Sequence, residues 1–196
     1  KDQQLELMAT LVEVQGNKVV VIKPDFDVRF GKTTVASRAG LSREADLLVK
    51  TDTVLPADAF DGCQCVLVDE AQFMSSFIID QLREIASTRG VPVICYGLRN
   101  DFRSELFEGS KRLFELADSV EEVKTTCAFC NKKAVFNLKS IDGEPTISGA
   151  QVTLGAEEMY LPACPVHFYG KLKIDSVELN STLKAMHQKE AADAAA

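Results

Sequence analysis

The sequence is short of positive charge: 22 Lys and Arg stand against 29 Asp and Glu, a formal net charge of -7. That deficit excludes a general DNA or RNA binder, whose affinity would come mostly from neutralising phosphates. A few local cations can still hold a small anionic substrate against an acidic background. Long hydrophobic runs are also missing. The longest, such as Val19-Val20-Val21-Ile22, fall far below the roughly 20 apolar residues of a bilayer-spanning helix. No secretory leader opens the sequence, and internal repeats and long low-complexity tracts are absent. These absences predict a soluble, cytoplasmic protein with no nucleic-acid partner and no membrane partner. What is there, 46% hydrophobic and 26% charged residues, suits an ordinary globular chain. Its 196 residues are many for one compact domain and few for two full ones.

Six cysteines would suggest three disulfides in a small secreted protein, but their spacing argues otherwise. Cys127-Ala128-Phe129-Cys130 is a C-x-x-C, and Cys164-Pro165-Val166-His167 is a C-x-x-H lying 34 residues beyond Cys130. Two such knuckles can set four ligands tetrahedrally around one Zn²⁺. The alternative is a redox pair. Thioredoxin-like pairs open a helix, however, and this one leads into the strand-like Ala134-Val135-Phe136. Ligand type and spacing favour zinc, and four protein ligands would make the site structural. Histidine is scarce, with only two in the chain, so His167 is informative, whereas His187 in the polar tail reads as solvated. Cys65 and Cys95 lie in apolar strand-like runs and Cys63 in a loop.

Apolar periodicity predicts a helix over residues 2 to about 15, stopped by Gly16-Asn17. Lys18–Ile22, Cys65–Val68 and Val91–Tyr96 read as buried strands, with an amphipathic helix over Phe77–Arg89. Pro24 to Ser42 reads as a polar functional loop. The alternation predicts a parallel α/β sheet with right-handed crossovers. Near residue 120 the pattern changes to short strands with turn signals at Asp142-Gly143 and Ser148-Gly149. Three segments are therefore expected: an α/β domain over 1–122, a zinc-binding β-rich lobe over 123–170, and a loosely docked helical tail over 171–196.

In a parallel sheet, ligands bind beyond the carboxyl ends of the strands, which here present Pro24–Arg29, Asp69–Phe73 and Gly97–Phe102. An apolar strand ending in Asp69-Glu70 has the form of a Walker B element, where Asp helps hold Mg²⁺ and Glu can take a proton. An acidic helix cap gives the same pattern. Gly31-Lys32-Thr33-Thr34 imitates the end of a phosphate loop, but Phe26 stands where the first glycine belongs and no helical pattern follows. Lys1, immediately before the first predicted helix, is the better candidate; a preceding strand and glycine-rich loop would complete the unit, and either the sequence begins after such a loop or the protein lacks one.

Four motifs occur in order: Asp25-Phe26-Asp27-Val28-Arg29-Phe30, Val68-Asp69-Glu70-Ala71-Gln72-Phe73, Tyr96-Gly97-Leu98-Arg99-Asn100-Asp101-Phe102-Arg103, and the Cys/His quartet. With them the chain resembles the type II thymidine kinase family, the P-loop and zinc-containing kind, in its bacterial-like branch, from Lys1 to about Tyr169. The resemblance implies a P-loop NTPase-like parallel sheet with helices on both faces and a zinc-stapled lobe carrying a lasso loop. It implies ATP- and Mg²⁺-dependent phosphorylation of thymidine at its 5′-hydroxyl to give dTMP, feedback by dTTP, and a homotetramer. Glu70 matches the general base, Arg29 the arginine stabilising the transferring phosphoryl group, Asp69 the Mg²⁺-site acid and Lys1 the phosphate-loop lysine. Asp27 matches a residue of the same active-site motif, and Phe73, Leu98, Phe102 and Phe107 match the apolar residues around thymine. Plain core packing explains Phe107 equally well. Gln151, Thr153, Gly155 and Tyr160 match the lasso that reads the base edge mainly through main-chain hydrogen bonds.

Two departures from the family's pattern stand out. Asp2 follows Lys1 where Ser or Thr normally ligates Mg²⁺, and Ala156 follows Gly155 where the family has a second glycine. They motivate an alternative: a catalytically weakened or inactive homologue acting as a nucleoside-binding or structural subunit. A zinc-ribbon module binding nucleic acid is a third reading, opposed by the acidic charge.

Overall fold

The computed structural model describes residues 16–25, 34–36, 42–149 and 158–195. The helix expected over 2–15 lies outside them, as do Lys1, Asp27, Arg29, Gln151, Thr153 and Gly155. Two compact units organise the chain: residues up to Arg99 with Leu106–Glu121, and Asn100–Glu105 with Glu122 onward.

In the first unit the strands are β1 (Lys18–Pro24), β2 (Thr34–Ala36), β3 (Ser42–Glu44), β4 (Leu47–Val49), β5 (Cys63–Val68) and β6 (Val93–Cys95). Four of them form a parallel sheet in the order β4-β1-β5-β6, with Val20 opposite Val66 and Ile22 opposite Val68. Side chains alternate across it, which is why the central strands are continuously apolar. Val20, Ile22, Val66 and Val68 pack with Ile78, Ile79 and Leu82 of helix α1 (Ser76–Arg89), while Val19, Val21, Cys65 and Leu67 form a second cluster on the other face. Ser75 caps α1 by accepting from the Ile78 N–H, and Gly90 ends it at φ 64°.

Several local features differ from the sequence reading. The stretch read as a loop between Pro24 and Ser42 contains β2, which pairs antiparallel with β3. Thr34–Ala36 is thus a strand, not the helix that a phosphate loop at Gly31–Thr34 would need. Cys63 is no loop residue; it opens β5, is buried, and donates its thiol hydrogen to the Cys65 carbonyl. Burial pushes the Cys95 thiol up to about 12. Helix α2 (Glu108–Leu116) was not anticipated: it is only nine residues long, and Phe107 before it offers no capping side chain to mark its start.

The second unit contains the antiparallel sheet β8-β7-β9, from β7 (Phe136–Ile141), β8 (Glu144–Thr146) and β9 (Glu158–Ala163). Asp142 and Gly143, at φ 51° and 82°, make the tight hairpin turn between β7 and β8. Helices α3 (Pro165–Leu172) and α4 (Ser176–Ala194) follow. The tail is not loosely docked: Leu179 and Leu183 of α4 are buried with Leu138, Ala163 and Phe168. Asp175 starts α4 by accepting from the Val177 and Glu178 N–H groups. No helix among the described residues is long and apolar enough to cross a membrane.

Candidate functional site

The carboxyl end of β5 carries the acidic pair. The Asp69 N–H still bonds the Ile22 carbonyl of the neighbouring strand at 2.9 Å, so Asp69 is the last residue held by the sheet. The chain then turns sharply, with Glu70 in the left-handed region at φ 49°, ψ 38°, into a 3₁₀ turn over Ala71–Phe73. A left-handed non-glycine residue costs of order 1–3 kcal/mol and persists only where its surroundings fix it. Here they do: the Glu70 N–H donates to Asp69 Oδ1 at 2.9 Å, and the Ala71 N–H to the Tyr96 carbonyl at 2.9 Å. Both carboxylates are buried, at 5% and 7% exposure, so neither is an ordinary solvated helix cap.

Gln72 was quoted in its motif but given no role from sequence, and the structure places it against this pair. Its side chain is 1% exposed. Its Oε1 accepts from the Leu98 N–H at 3.1 Å, which turns its Nε2 toward the Glu70 carboxylate, where it donates to Oε2 at 2.5 Å. One amide thus connects the acidic corner to the loop after β6. Glycine makes room for it, since a Cβ at Gly97 would stand 2.8 Å from Gln72 Oε1. Ser110 of α2 donates to the Leu98 carbonyl at 2.6 Å and fixes the same loop from its other polar group.

Of the aromatic residues assigned to the base, Phe73 and Phe107 meet edge-on in the first unit, with ring centroids 5.4 Å apart. Phe73 also lines a hollow of about 250 Å³ with Asp25, Val49, Lys50, Thr51 and Met74, just beyond the carboxyl ends of β1 and β4. Leu98 is 40% exposed. Phe102 and Tyr160 belong to the second unit, where their centroids lie 6.3 Å apart and the Lys139 ammonium stands 4.6 Å from the Phe102 ring.

The second unit also assembles the Cys/His quartet. Backbone bonds fold the first knuckle, from the Cys127 N–H to the Lys132 carbonyl at 2.9 Å and from the Ala134 N–H to the Thr125 carbonyl at 2.8 Å. Cys164 caps α3 and His167 lies in its first turn, so the i, i+3 spacing puts both on one face. Cys127 Sγ lies 3.7 Å from His167 Nδ1, Cys130 Sγ 3.8 Å from Cys164 Sγ, and Cys164 Sγ 3.2 Å from His167 Nδ1. All four ligand atoms fall within 4.8 Å of one another. Tetrahedral zinc with bonds of about 2.0–2.3 Å requires ligand separations of roughly 3.5–3.8 Å, so the quartet fits such an ion.

Burial works against a charge on Cys127, but hydrogen bonds from the Cys164 and Phe129 backbone, aided by the neighbouring thiols, lower its thiol to about 6. At Cys130 a backbone bond at Lys132 acts downward, yet burial and the contacts with Cys164 and Cys127 prevail and raise it. Three crowded sulfurs with opposed preferences are a donor set that a dication relieves.

A parallel sheet whose inner strand ends in a buried Asp-Glu pair, in a chain that also builds a Cys₃His cluster able to hold a metal, has the architecture of an α/β phosphotransferase with a small β lobe. The sequence model of the family described as thymidine kinase matches residues 1–168. Among curated relatives, the "Thymidine kinase" of Lactococcus lactis is 42% identical over 163 residues, covering 80% of this chain and 84% of the relative. Those of Lactiplantibacillus plantarum and Enterococcus faecalis are 42% and 43% identical over 159 residues, covering 80% of this chain and 83% and 82% of theirs. The chain belongs to the thymidine kinase family.

Proposed function

We propose that the protein transfers the γ-phosphoryl group of ATP to the 5′-hydroxyl of thymidine, giving dTMP for nucleotide salvage. The observation that carries this reading is the buried Asp69-Glu70 corner at the carboxyl end of β5, in a chain of this family. Glu70 takes the proton from the attacking hydroxyl, and its strained, hydrogen-bonded setting keeps the carboxylate in one place. Asp69 holds the Mg²⁺ that accompanies ATP. Lys1 binds its phosphates, Arg29 stabilises the transferring group, and Asp27 serves the same motif. Phe73, Leu98, Phe102, Phe107 and Tyr160 contact the nucleoside, with Gln151, Thr153 and Gly155 reading the base edge. The phosphoryl-transfer chemistry belongs to residues 1–122, and the base-reading loop and a structural zinc on Cys127, Cys130, Cys164 and His167 belong to 123–170. Feedback by dTTP, a homotetrameric assembly and a cytoplasmic setting complete the reading.

A coupled ADP-release assay with thymidine tests it. Wild-type protein is expected to turn over only with ATP, Mg²⁺ and thymidine together. Glu70→Gln should lose roughly 10²–10⁴-fold in kcat, the contribution of a positioned general base. Equal turnover by both proteins would remove Glu70 from that role. Calorimetric titration with ATP–Mg²⁺ separates an active enzyme from a homologue with a dead phosphate site.

A further inference from the structure

The segment Asn100–Glu105 is a compact turn built on one buried carboxylate. Asp101, 4% exposed, accepts from the Arg103 and Glu105 N–H groups at 2.8 and 3.0 Å, and its own N–H donates to the Glu105 carbonyl. Ser104 takes a left-handed conformation at φ 69°, and its carbonyl accepts from Asn100 Nδ2. The turn buries the Phe102 ring and projects the Arg103 guanidinium beside it, 5.5 Å from the ring centroid.

That guanidinium is 12% exposed and reaches two parts of the same unit. Nε donates to the Ile147 carbonyl at 3.3 Å and Nη2 to the Gly149 carbonyl at 2.7 Å. Nη1 pairs with Glu190 of α4 at 3.4 Å, and one turn earlier on that helix His187 meets Glu105 at 3.0 Å. Ile147 and Gly149 lead directly into Gln151. Gly149 has little freedom to be anything else: its φ is +97°, and a Cβ there would stand 2.9 Å from Lys139 Nζ. Helix α4 lies beyond residue 168, where the family match ends. The planar fork of arginine suits two carbonyls two residues apart, whereas a lysine ammonium reaches one as a point charge.

We propose that Arg103 is a specificity-positioning residue, which fixes the carbonyls of Ile147 and Gly149 immediately before the segment read as meeting the base, and that the C-terminal helix braces it through Glu190. The inference rests on the reading of 151–156 as the loop that meets the base. It makes the helix beyond the family's matched region part of nucleoside recognition, and it gives Arg103 a role distinct from the phosphate-binding cations.

The test compares wild type, Arg103→Ala, Arg103→Lys and Glu190→Gln in steady-state kinetics with thymidine and ATP varied separately. Arg103→Ala is expected to raise KM for thymidine roughly tenfold, as for the loss of charge-assisted bonds at a partly exposed site, while KM for ATP stays within about twofold. Arg103→Lys should fall between the two, and Glu190→Gln should shift KM for thymidine by less, as befits a surface pair. Unchanged KM for thymidine in Arg103→Ala, or equal rises for both substrates, would overturn the proposal. Amide hydrogen exchange gives a readout independent of turnover and of the Ala variant's folding. In Arg103→Lys, amides over 144–149 should exchange faster while those of α1 do not change; uniform or absent change overturns the anchoring. If wild type fails to phosphorylate thymidine, the functional reading fails, and the exchange result still judges Arg103.

Discussion

Gly109 lies in the first turn of α2, against the backbone of the residues that follow Glu70. A Cβ built there would stand 2.3 Å from the Ala71 carbonyl oxygen, 2.7 Å from that of Met74 and 3.1 Å from that of Gln72. Ordinary contact begins near 3.4 Å, so Gly109→Ala must drive helix and turn apart by about 1 Å, and all three obstacles are backbone. Overpacking of this kind costs about 1–3 kcal/mol, and alanine's better helix propensity returns up to ~1 kcal/mol. A net loss of about 1–2 kcal/mol corresponds to a Tm lower by roughly 2–8 °C for a chain of this size. The displaced turn carries Gln72, and displacements near 1 Å in a catalytic arrangement cost up to about 100-fold, so kcat should fall by roughly 10–100-fold. Gly170 in α3 is the control. Nothing lies within 4 Å of a Cβ there, and the same substitution should raise Tm by about 2–4 °C and leave kcat alone. Differential scanning calorimetry and steady-state kinetics on both variants decide the matter. A Gly109→Ala protein as stable and as fast as wild type would refute the steric argument.

Gln72→Glu keeps an oxygen for the Leu98 N–H but sets a second carboxylate against Glu70, so kcat should drop about 10–100-fold with little change in KM for thymidine. Gln72→Met loses both bonds and should affect both constants; a Gln72→Glu enzyme with wild-type kcat removes Gln72 from any positioning role. Metal analysis should find one zinc per chain, and its removal by a chelator, or Cys130→Ser, should expose the second unit to proteolysis, since structural zinc contributes folding energy directly. Zinc-free protein with unaltered protease resistance would make the quartet dispensable.

The central strands were legible because Val19–Ile22 and Cys65–Val68 are short, β-branched-rich apolar runs bounded by turn signals, the pattern of inner strands buried on both faces of a parallel sheet. Helix α1 was legible for its length and its Gly90 stop. Elements of three residues, such as β2 and β4, are too short to carry a period, and they exist because a neighbouring strand offers its backbone groups. Helix α3 was missed because it is announced by Pro165 at its first position, inside a motif read for metal ligation. The tail was read as loosely held because Leu179 and Leu183 are few apolar residues for 19, yet two leucines one turn apart are enough when a β lobe supplies the opposing surface.

The acidic corner and the Cys/His quartet were legible for a different reason: each needs particular residue types at fixed spacing, and spacing survives in a sequence. What the spacing could not show is the set of contacts that hold those types in place. Gln72 stands two residues from Glu70, the same interval that in a strand would point both side chains to one face, but only the left-handed turn at Glu70 folds the amide back onto the carboxylate. The turn in turn requires a close neighbour without a side chain, supplied 39 residues away by Gly109. Nothing local marks that glycine, since a helix tolerates one at a cost of only about 1 kcal/mol. The residue types of such a site are therefore readable from order along the chain, whereas their placement depends on approaches between backbones that only the folded structure brings together.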